Sequence, residues 1–381
     1  MKITVVCDVL GEENNGTTIA SMNLIRFLKA RGHETRVLCS DQSKIGQENF
    51  FVVPTLSFGK LLDRYVQKVG VSLSKPQEDI VRKALDGVDH VHVMLPFPLG
   101  IMSVKIAREY HISVTAGFHM QAENFTSYIK MHKIKFFNNM VYKYIYKHFY
   151  KYVDAIHYPT EFIKNTFENT IKKKTRGYVI SNGVHDYVQK RENARPKEFE
   201  DKIIILTTGR FAREKSQDTL IKAIALSKHK DKIQLILGGQ GTKEKRYKKL
   251  AKRLPVPPVF KFFSRREIID VLNYADIYVH PAEFELEGIS CLEAVTCGKL
   301  TIVSNSPLSA TKEFAIDEKC IFKNRNAKSL ALVIDYWIEH PEEKKLYEKK
   351  YLNSAIAYNQ NACMERMEKM FVEMTNEKKN T

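Results

Sequence analysis

The sequence predicts an α/β fold built from two doubly wound, Rossmann-like domains. Three observations carry this expectation. Apolar strand patterns alternate with helix patterns along the first half of the chain, the same rhythm restarts beyond residue 200, and a polar, proline-containing segment, Val188–Lys202, separates the two halves. At 381 residues the chain is long for one α/β domain. It is comfortable for two domains of roughly 150–200 residues.

The elements follow in order. Ile3–Val6 is a buried strand, and a loop over Gly11–Gly16 leads into a helix at Thr18–Lys29. Thr35–Leu38, Val91–Met94 and Val114–Ala116 read as strands, and so do Ile203–Thr207, Gln234–Leu237, Ile277–His280 and Leu300–Val303 after the restart. Strands that alternate with helices imply parallel sheets, whose ligands bind at the carboxyl ends of the strands. Ser181-Asn182-Gly183-Val184 reads as a turn in which Gly183 takes a positive φ. A charged helix over Pro341–Lys378 closes the sequence. The expected division is 1–187, 188–360 and a terminal segment 361–381.

Composition narrows the class. Apolar residues make up 44% of the chain, enough for full cores. No window approaches the ~20 apolar residues of a membrane-spanning helix. The opening MKITVVCDVL is a strand pattern with Asp8 inside it and no cleavage site, so it is not a signal peptide. Six scattered cysteines form no C-x-x-C pair, and Cys291 and Cys297 sit in an apolar helix. A cytosolic protein without disulfides or structural zinc is expected. Lys and Arg exceed Asp and Glu to leave a formal charge of +17. Such an excess favours an anionic partner: nucleic acid, an anionic membrane or a phosphorylated substrate. No zinc-finger, RNP or KH signature supports the first.

Four segments carry chemistry. In His280–Asn305, HPAEFELEGISCLEAVTCGKLTIVSN, Glu285 falls on a loop and Glu293 on the first turns of a helix. The N–H groups near Gly288, Ile289 and Ser290 then lie at a helix N-terminus, which attracts anions such as a diphosphate. Carboxylates on either side accept hydrogen bonds from sugar hydroxyls. A solvated, Glu-rich loop before an ordinary surface helix is the alternative, and spacing alone does not decide between them. In Thr207–Asp218, TTGRFAREKSQD, Gly209 turns the backbone after a strand, and Arg210 and Lys215 precede a helix. An Arg fork and a Lys point charge suit a diphosphate. Gly16 and Thr17 follow the first strand, where a glycine brings backbone N–H groups close to a ligand. His119 follows the strand Val114–Ala116 and lands at a strand's carboxyl end.

A fifth region bears on the partner. From Asn124 to Val153 there is no acidic residue, and Lys130, Lys133, Lys135, Lys143, Lys147 and Lys151 are interleaved with aromatics including Phe136 and Phe137. Lys143, Lys147 and Lys151 recur at helical spacing, with Ile134, Phe137, Val141 and Ile145 as an apolar stripe beside them. Basic and aromatic residues on an amphipathic helix read as an interfacial anchor for an anionic membrane. A helix packed on its sheet with a solvated basic face is the alternative.

The His280–Asn305 segment resembles the E-x7-E signature of retaining glycosyltransferases of family 4, which have the GT-B fold. Pro281 precedes the first Glu, Leu292-Glu293-Ala294 surrounds the second, and Cys297-Gly298-Lys299-Leu300 closes the helix. Glu287 stands where the family usually has an aromatic, a departure that bears on the packing of the turn. Thr207–Asp218 resembles the family's G-R-(x4)-K motif, including the following Leu220-Ile221-Lys222-Ala223. The resemblance spans essentially the whole chain. It implies two domains facing a central cleft, with the terminal helix crossing back to the first. It also implies a nucleotide-sugar co-substrate, UDP-glucose or UDP-galactose, in place of a bound cofactor. Arg210, Lys215 and the helix start at Gly288, Ile289 and Ser290 would hold the diphosphate. Glu285 would hold sugar hydroxyls, Glu293 the ribose, Gly16 and Thr17 the donor, and His119 the donor sugar. The sequence has no Asp-x-Asp motif, which fits a metal-independent site.

His90–Gly100, HVHVMLPFPLG, and Gly117–Glu123, GFHMQAE, are similar to the bacterial diacylglycerol α-glycosyltransferases of the monoglucosyldiacylglycerol synthase type. That similarity implies a lipid acceptor, diacylglycerol or a glycosyl-diacylglycerol, and an enzyme held peripherally on the inner face of the cell membrane. Lys133, Lys143, Lys147, Lys151, Phe136 and Phe137 would form its membrane side. A polysaccharide or cell-envelope glycan transferase shares every donor motif, and a non-catalytic nucleic-acid-binding protein is the remote alternative. Nothing in the sequence fixes the oligomeric state.

Overall fold

A computed structural model of the chain describes residues 1–8, 10, 16–56, 74–123 and 135–380. Its strands form two all-parallel sheets, each the centre of its own unit: Met1–Asn182 with Cys363–Thr381, and Gly183–Ala362. The division at Asn182–Gly183 precedes the expected 187/188. The physical reason lies in the polar segment after it, which is no free linker. The Arg191 N–H donates to Asn273 Oδ1 at 2.7 Å, Asn193 to Asp270 at 2.8 Å and Arg195 to Asp276 at 2.7 Å, all within the second unit.

In the first unit the strands are β1 (Lys2–Cys7), β2 (Glu34–Cys39), β3 (Phe50–Val52), β4 (His90–Val93), β5 (Ser113–Gly117), β6 (Ala155–Tyr158) and β7 (Gly177–Val179). They pair in the order β3-β2-β1-β4-β5-β6-β7. Every residue of β4, β5 and β6 is buried. Both faces of these strands are covered, although β4 alternates His with Val and places His90 and His92 inside. The described helices are α1 (Gly16–Ala30), α2 (Glu78–Leu85), α3 (Pro98–Glu109), α4 (Lys135–His148) and α5 (Glu161–Ile171). The strand order reverses between β1 and β4, which opens a crevice at their carboxyl ends.

In the second unit β8 (Ile203–Thr208), β9 (Ile233–Gly238), β10 (Val259–Lys261), β11 (Ile277–His280), β12 (Thr301–Ser304) and β13 (Ile321–Phe322) pair as β10-β9-β8-β11-β12-β13. The helices are α6 (Gln217–Leu226), α7 (Glu244–Ala251), α8 (Arg265–Tyr274), α9 (Ile289–Thr296), α10 (Ala327–Glu339) and α11 (Pro341–Ala355). The reversal here lies between β8 and β11.

The single terminal helix expected over Pro341–Lys378 is two helices, α11 and α12 (Gln360–Lys379). The break follows from backbone pairing. Val184 donates to Tyr358 O at 2.7 Å and accepts from the Gln360 N–H at 3.0 Å, so the chain at Asn359 runs as a bridge, not a helix. Gly183 takes φ +76°, and a Cβ there would meet Gln360 Cα at 2.5 Å. Along α12, Cys363, Met364, Met367, Met370, Phe371 and Met374 are buried in one core with Ile3, Val5, Leu24 and Leu28. The Phe371 ring stacks on His90 at 4.6 Å and lies 5.0 Å from His92. Phe371→Ala is expected to remove about 3–5 kcal/mol from the first unit. A urea titration of the full chain measures this, and an unchanged midpoint would show that α12 is not part of that core.

Candidate active site

The second unit assembles its site on the loops after β8 and β11. Gly288 caps α9 in the left-handed region at φ +91°, and no side chain caps the helix. A Cβ at Gly288 would meet Thr311 Cγ2 at 2.6 Å and Glu285 Cγ at 3.0 Å, so the tight turn requires glycine. The first N–H groups of α9, at Ile289 and Ser290, have no acceptor within the helix and concentrate its partial positive charge. Glu285 enters beside this terminus. Its Oε2 accepts from the Lys215 ammonium and from His280 Nε2 at 3.0 Å. Glu287, where an aromatic was the family norm, is buried.

Burial pushes the Glu285 carboxyl up, but Lys215 and the His280 hydrogen bond outweigh it and hold the group down at about 2. His280 is itself lowered, chiefly by burial. A neutral His280 donating from Nε2 has Nδ1 available to the Tyr278 hydroxyl at 3.3 Å, which contacts Thr208 Oγ1 at 2.9 Å. The sequence reading placed His280 at the end of a strand but assigned a site role to neither His280 nor Tyr278. Their signal was available in hindsight, since alternate residues of a strand share a face and His280 ends β11.

Glu293 is buried on α9 and accepts from Arg265 Nη1 at 2.6 Å. Burial raises its pKa against the opposing pull of Arg265. Arg265 was also missed, because it starts α8 and reaches Glu293 only through the fold. Lys215 turns to Glu285, whereas Arg210 is exposed and pairs with Glu214 at 3.2 Å. The structure therefore brings together Lys215, Glu285, Gly288, Ile289 and Ser290, and leaves Arg210 on the surface of the same loop. Gly209 turns the chain at φ +140°.

In the first unit Gly16 and Thr17 are the opening residues of α1. The expected loop over Gly11–Gly16 thus ends one residue earlier, and residues 11–15 lie outside the described residues. Gly16 is exposed and no atom lies within 4 Å of its would-be Cβ. Nothing around it among the described residues demands glycine. His119 sits two residues past β5. The residue is half-buried, and its Nε2 is sealed from solvent with no hydrogen-bond partner among the described residues. That atom lies 2.5 Å from where a Gly117 Cβ would stand, so a larger residue there would displace the His119 ring. The His157 ring crosses it edge-on at 5.6 Å. Burial, with His157 adding to it, lowers the His119 pKa to about 3, so the ring is neutral near pH 7.

On α4 the buried face is Asn138, Tyr142 and Ile145. The expected outward stripe of Ile134, Phe137, Val141 and Ile145 needs correction. Ile134, like Lys130 and Lys133, lies outside the described residues, Phe137 and Val141 are half-buried and Ile145 packs inward. The exposed apolar stripe is Phe136 (67%), Met140 (51%) and Tyr144 (62%), with Lys143 and Lys147 exposed beside it. Lys151 does not continue the helical face, because α4 stops at His148 and Lys151 lies in a 3₁₀ turn over the Tyr152 ring. Tyr142 OH accepts from the Ala122 N–H at 3.2 Å and donates to Glu123 at 2.9 Å, tying α4 to the segment that carries His119.

Comparison with known proteins places this geometry. The model for Glycosyltransferase Family 4 matches residues 14–186, and that for Glycosyl transferases group 1 matches residues 188–352. The chain belongs to the family 4 GT-B glycosyltransferases. This glycosyltransferase is 24% identical over 324 residues to the α-monoglucosyldiacylglycerol synthase of Streptococcus pneumoniae, covering 81% of this chain and 72% of that protein. Anabaena HepE in complex with UDP and glucose superposes with a TM-score of 0.71 at 14% identity, over 98% of this chain and 100% of that one. The catalytic domain of the Helicobacter pylori cholesterol-α-glucosyltransferase is 43% identical over 41% of this chain and 99% of its own, at a TM-score of 0.40.

The Glu285 pairing has a pH signature. A carboxyl held at about 2 contributes stability above the unfolded value near 4.3, and that contribution is lost as pH falls toward 2. In Lys215→Ala the main opposing charge is gone, and the Glu285 titration, followed by carboxyl 13C NMR, is expected to rise by at least about one unit. No rise would mean that Lys215 does not set this charge.

Proposed function

We propose that this glycosyltransferase moves a hexose from a UDP-sugar, UDP-glucose or UDP-galactose, to a membrane lipid hydroxyl with retention of the α configuration. The outward face of α4 carries the lipid reading. An apolar stripe at Phe136, Met140 and Tyr144 flanked by Lys143 and Lys147 is the arrangement that enters an anionic headgroup layer. The streptococcal relative, by its name, makes a glucosyldiacylglycerol, which supports diacylglycerol or a glycosyl-diacylglycerol as acceptor. The enzyme then works on the inner, cytoplasmic face of the membrane.

On the donor side, Lys215 and the α9 N-terminus face the diphosphate, with Arg210 able to close from the loop surface. As the bond from the sugar C1 to the diphosphate oxygen breaks, negative charge grows on that oxygen, where these groups stabilise it. The acceptor hydroxyl forms the new C1–O bond on the same face and passes its proton to the departing phosphate oxygen, so no protein base is required. Glu285, charged throughout the neutral range, accepts from sugar hydroxyls. Glu293 does the same for the ribose, and neutral His119 serves as a hydrogen-bonding contact to the donor sugar.

Labelled UDP-sugars incubated with vesicles carrying diacylglycerol, glucosyl-diacylglycerol or cholesterol, read by mass spectrometry, test the reaction. A glycolipid product is expected, and a fall in its rate of roughly a hundredfold to a thousandfold in Lys215→Ala with the fold intact. Near-normal transfer by that variant would remove Lys215 from the site. A product only on a soluble glycan would replace the lipid by a polysaccharide acceptor. In a vesicle flotation assay Lys143→Ala/Lys147→Ala is expected to bind anionic vesicles roughly 30-fold more weakly, at about 1 kcal/mol per Lys. Equal binding would detach α4 from the membrane.

A further inference from the structure

The second unit carries a groove of about 440 Å³ between α6, α7 and the turn from β13 to α10. Five cations line it from separate stretches of chain: Arg213, Lys222, Lys243, Arg246 and Arg325. Among the described residues Asp218 is its only acidic lining residue, and it is already engaged by Arg246 at 3.3 Å and Lys222 at 3.6 Å. Arg325 is held by Glu283 from behind. Ser216 and Thr219 add hydroxyls at the first turn of α6, a helix that no side chain caps. Like charges gathered around one depression raise its positive potential and favour an anion bound among them.

This groove is not the diphosphate site. On one short turn, Lys215 points to Glu285 while Arg213 lines the groove. From this geometry we infer that the groove binds a small phosphate-bearing ligand of two or more negative charges, as a second anion site separate from the candidate donor site. Arg forks and Lys point charges match phosphate oxygens. The volume suits one headgroup or one small phosphorylated molecule. A soluble phosphate ester and a phospholipid headgroup present the same chemistry. The inference does not depend on the donor or acceptor proposed above.

Isothermal titration of the full chain with inorganic tripolyphosphate tests it. Arg213→Ala/Lys243→Ala/Arg246→Ala, all surface side chains, is expected to weaken binding at least about tenfold. Arg210→Ala/Lys215→Ala is expected to retain a site of wild-type affinity. Asp218→Asn, which removes the single acid, is expected to bind several-fold more tightly, a gain that misfolding does not produce. Wild-type binding by the triple variant, or complete loss in the Arg210/Lys215 variant, overturns the inference. Flotation with phosphatidylglycerol against phosphatidylcholine vesicles separates the sources. Loss of phosphatidylglycerol binding in the triple variant, reversed by no change in α4, assigns a headgroup. Unchanged flotation with lost tripolyphosphate binding assigns a soluble phosphate.

Discussion

The Glu285 carboxylate sits out of bulk solvent and still stays charged, and the second unit is organised around that fact. Desolvating a carboxylate costs several kcal/mol, which only close partners offset. Lys215 arrives from the loop after β8, His280 from the end of β11, and the α9 N-terminus from the turn at Gly288. Lys215 follows β8 while His280 and the α9 N-terminus both follow β11, so the parallel order that places β8 beside β11 is what makes the pairing possible. The relation is reciprocal: the charge network fixes the loops, and the fixed loops hold their dipoles before any ligand arrives, the preorganisation that makes electrostatic catalysis effective.

The first unit balances two demands on α4. Its inner face must pack, and Tyr142 does this while also closing hydrogen bonds to Ala122 and Glu123. Its outer face is then free to expose Phe136, Met140 and Tyr144, residues that an ordinary surface helix replaces with polar ones. One helix thereby connects a solvent-facing apolar stripe to the stretch bearing His119. The strongly positive charge of the chain is distributed over both units, so its positive potential does not come from this helix alone.

Much of this was legible in the sequence, for identifiable reasons. Strands covered on both faces, such as Ile203–Thr208 and Ile233–Gly238, announce themselves as predominantly apolar runs, IIIL in the first and LIL in the second. Edge strands do not: Phe50–Val52, Gly177–Val179, Val259–Lys261 and Ile321–Phe322 are two or three residues long and take their strand character from a neighbour. Glu285, Gly288 and Glu293 are readable because strand, turn and helix lie in one contiguous stretch. Arg265 and His280 are not, since their partners are fixed by tertiary placement. The α4 stripe was assigned to the wrong face because an amphipathic pattern with two apolar stripes does not say which one meets the sheet.

The α12 packing sets an order of events during synthesis. Residues 363–374 complete the core around Ile3, Leu24 and Leu28, yet they are translated only after the entire contiguous second unit. At 5–20 residues per second the interval is roughly 10–40 s. Through it, the nascent first unit holds a parallel sheet on which α1 is packed but the part of the core that α12 completes is still open. The later-made half of the chain is thus the first to have all of its core residues available for folding.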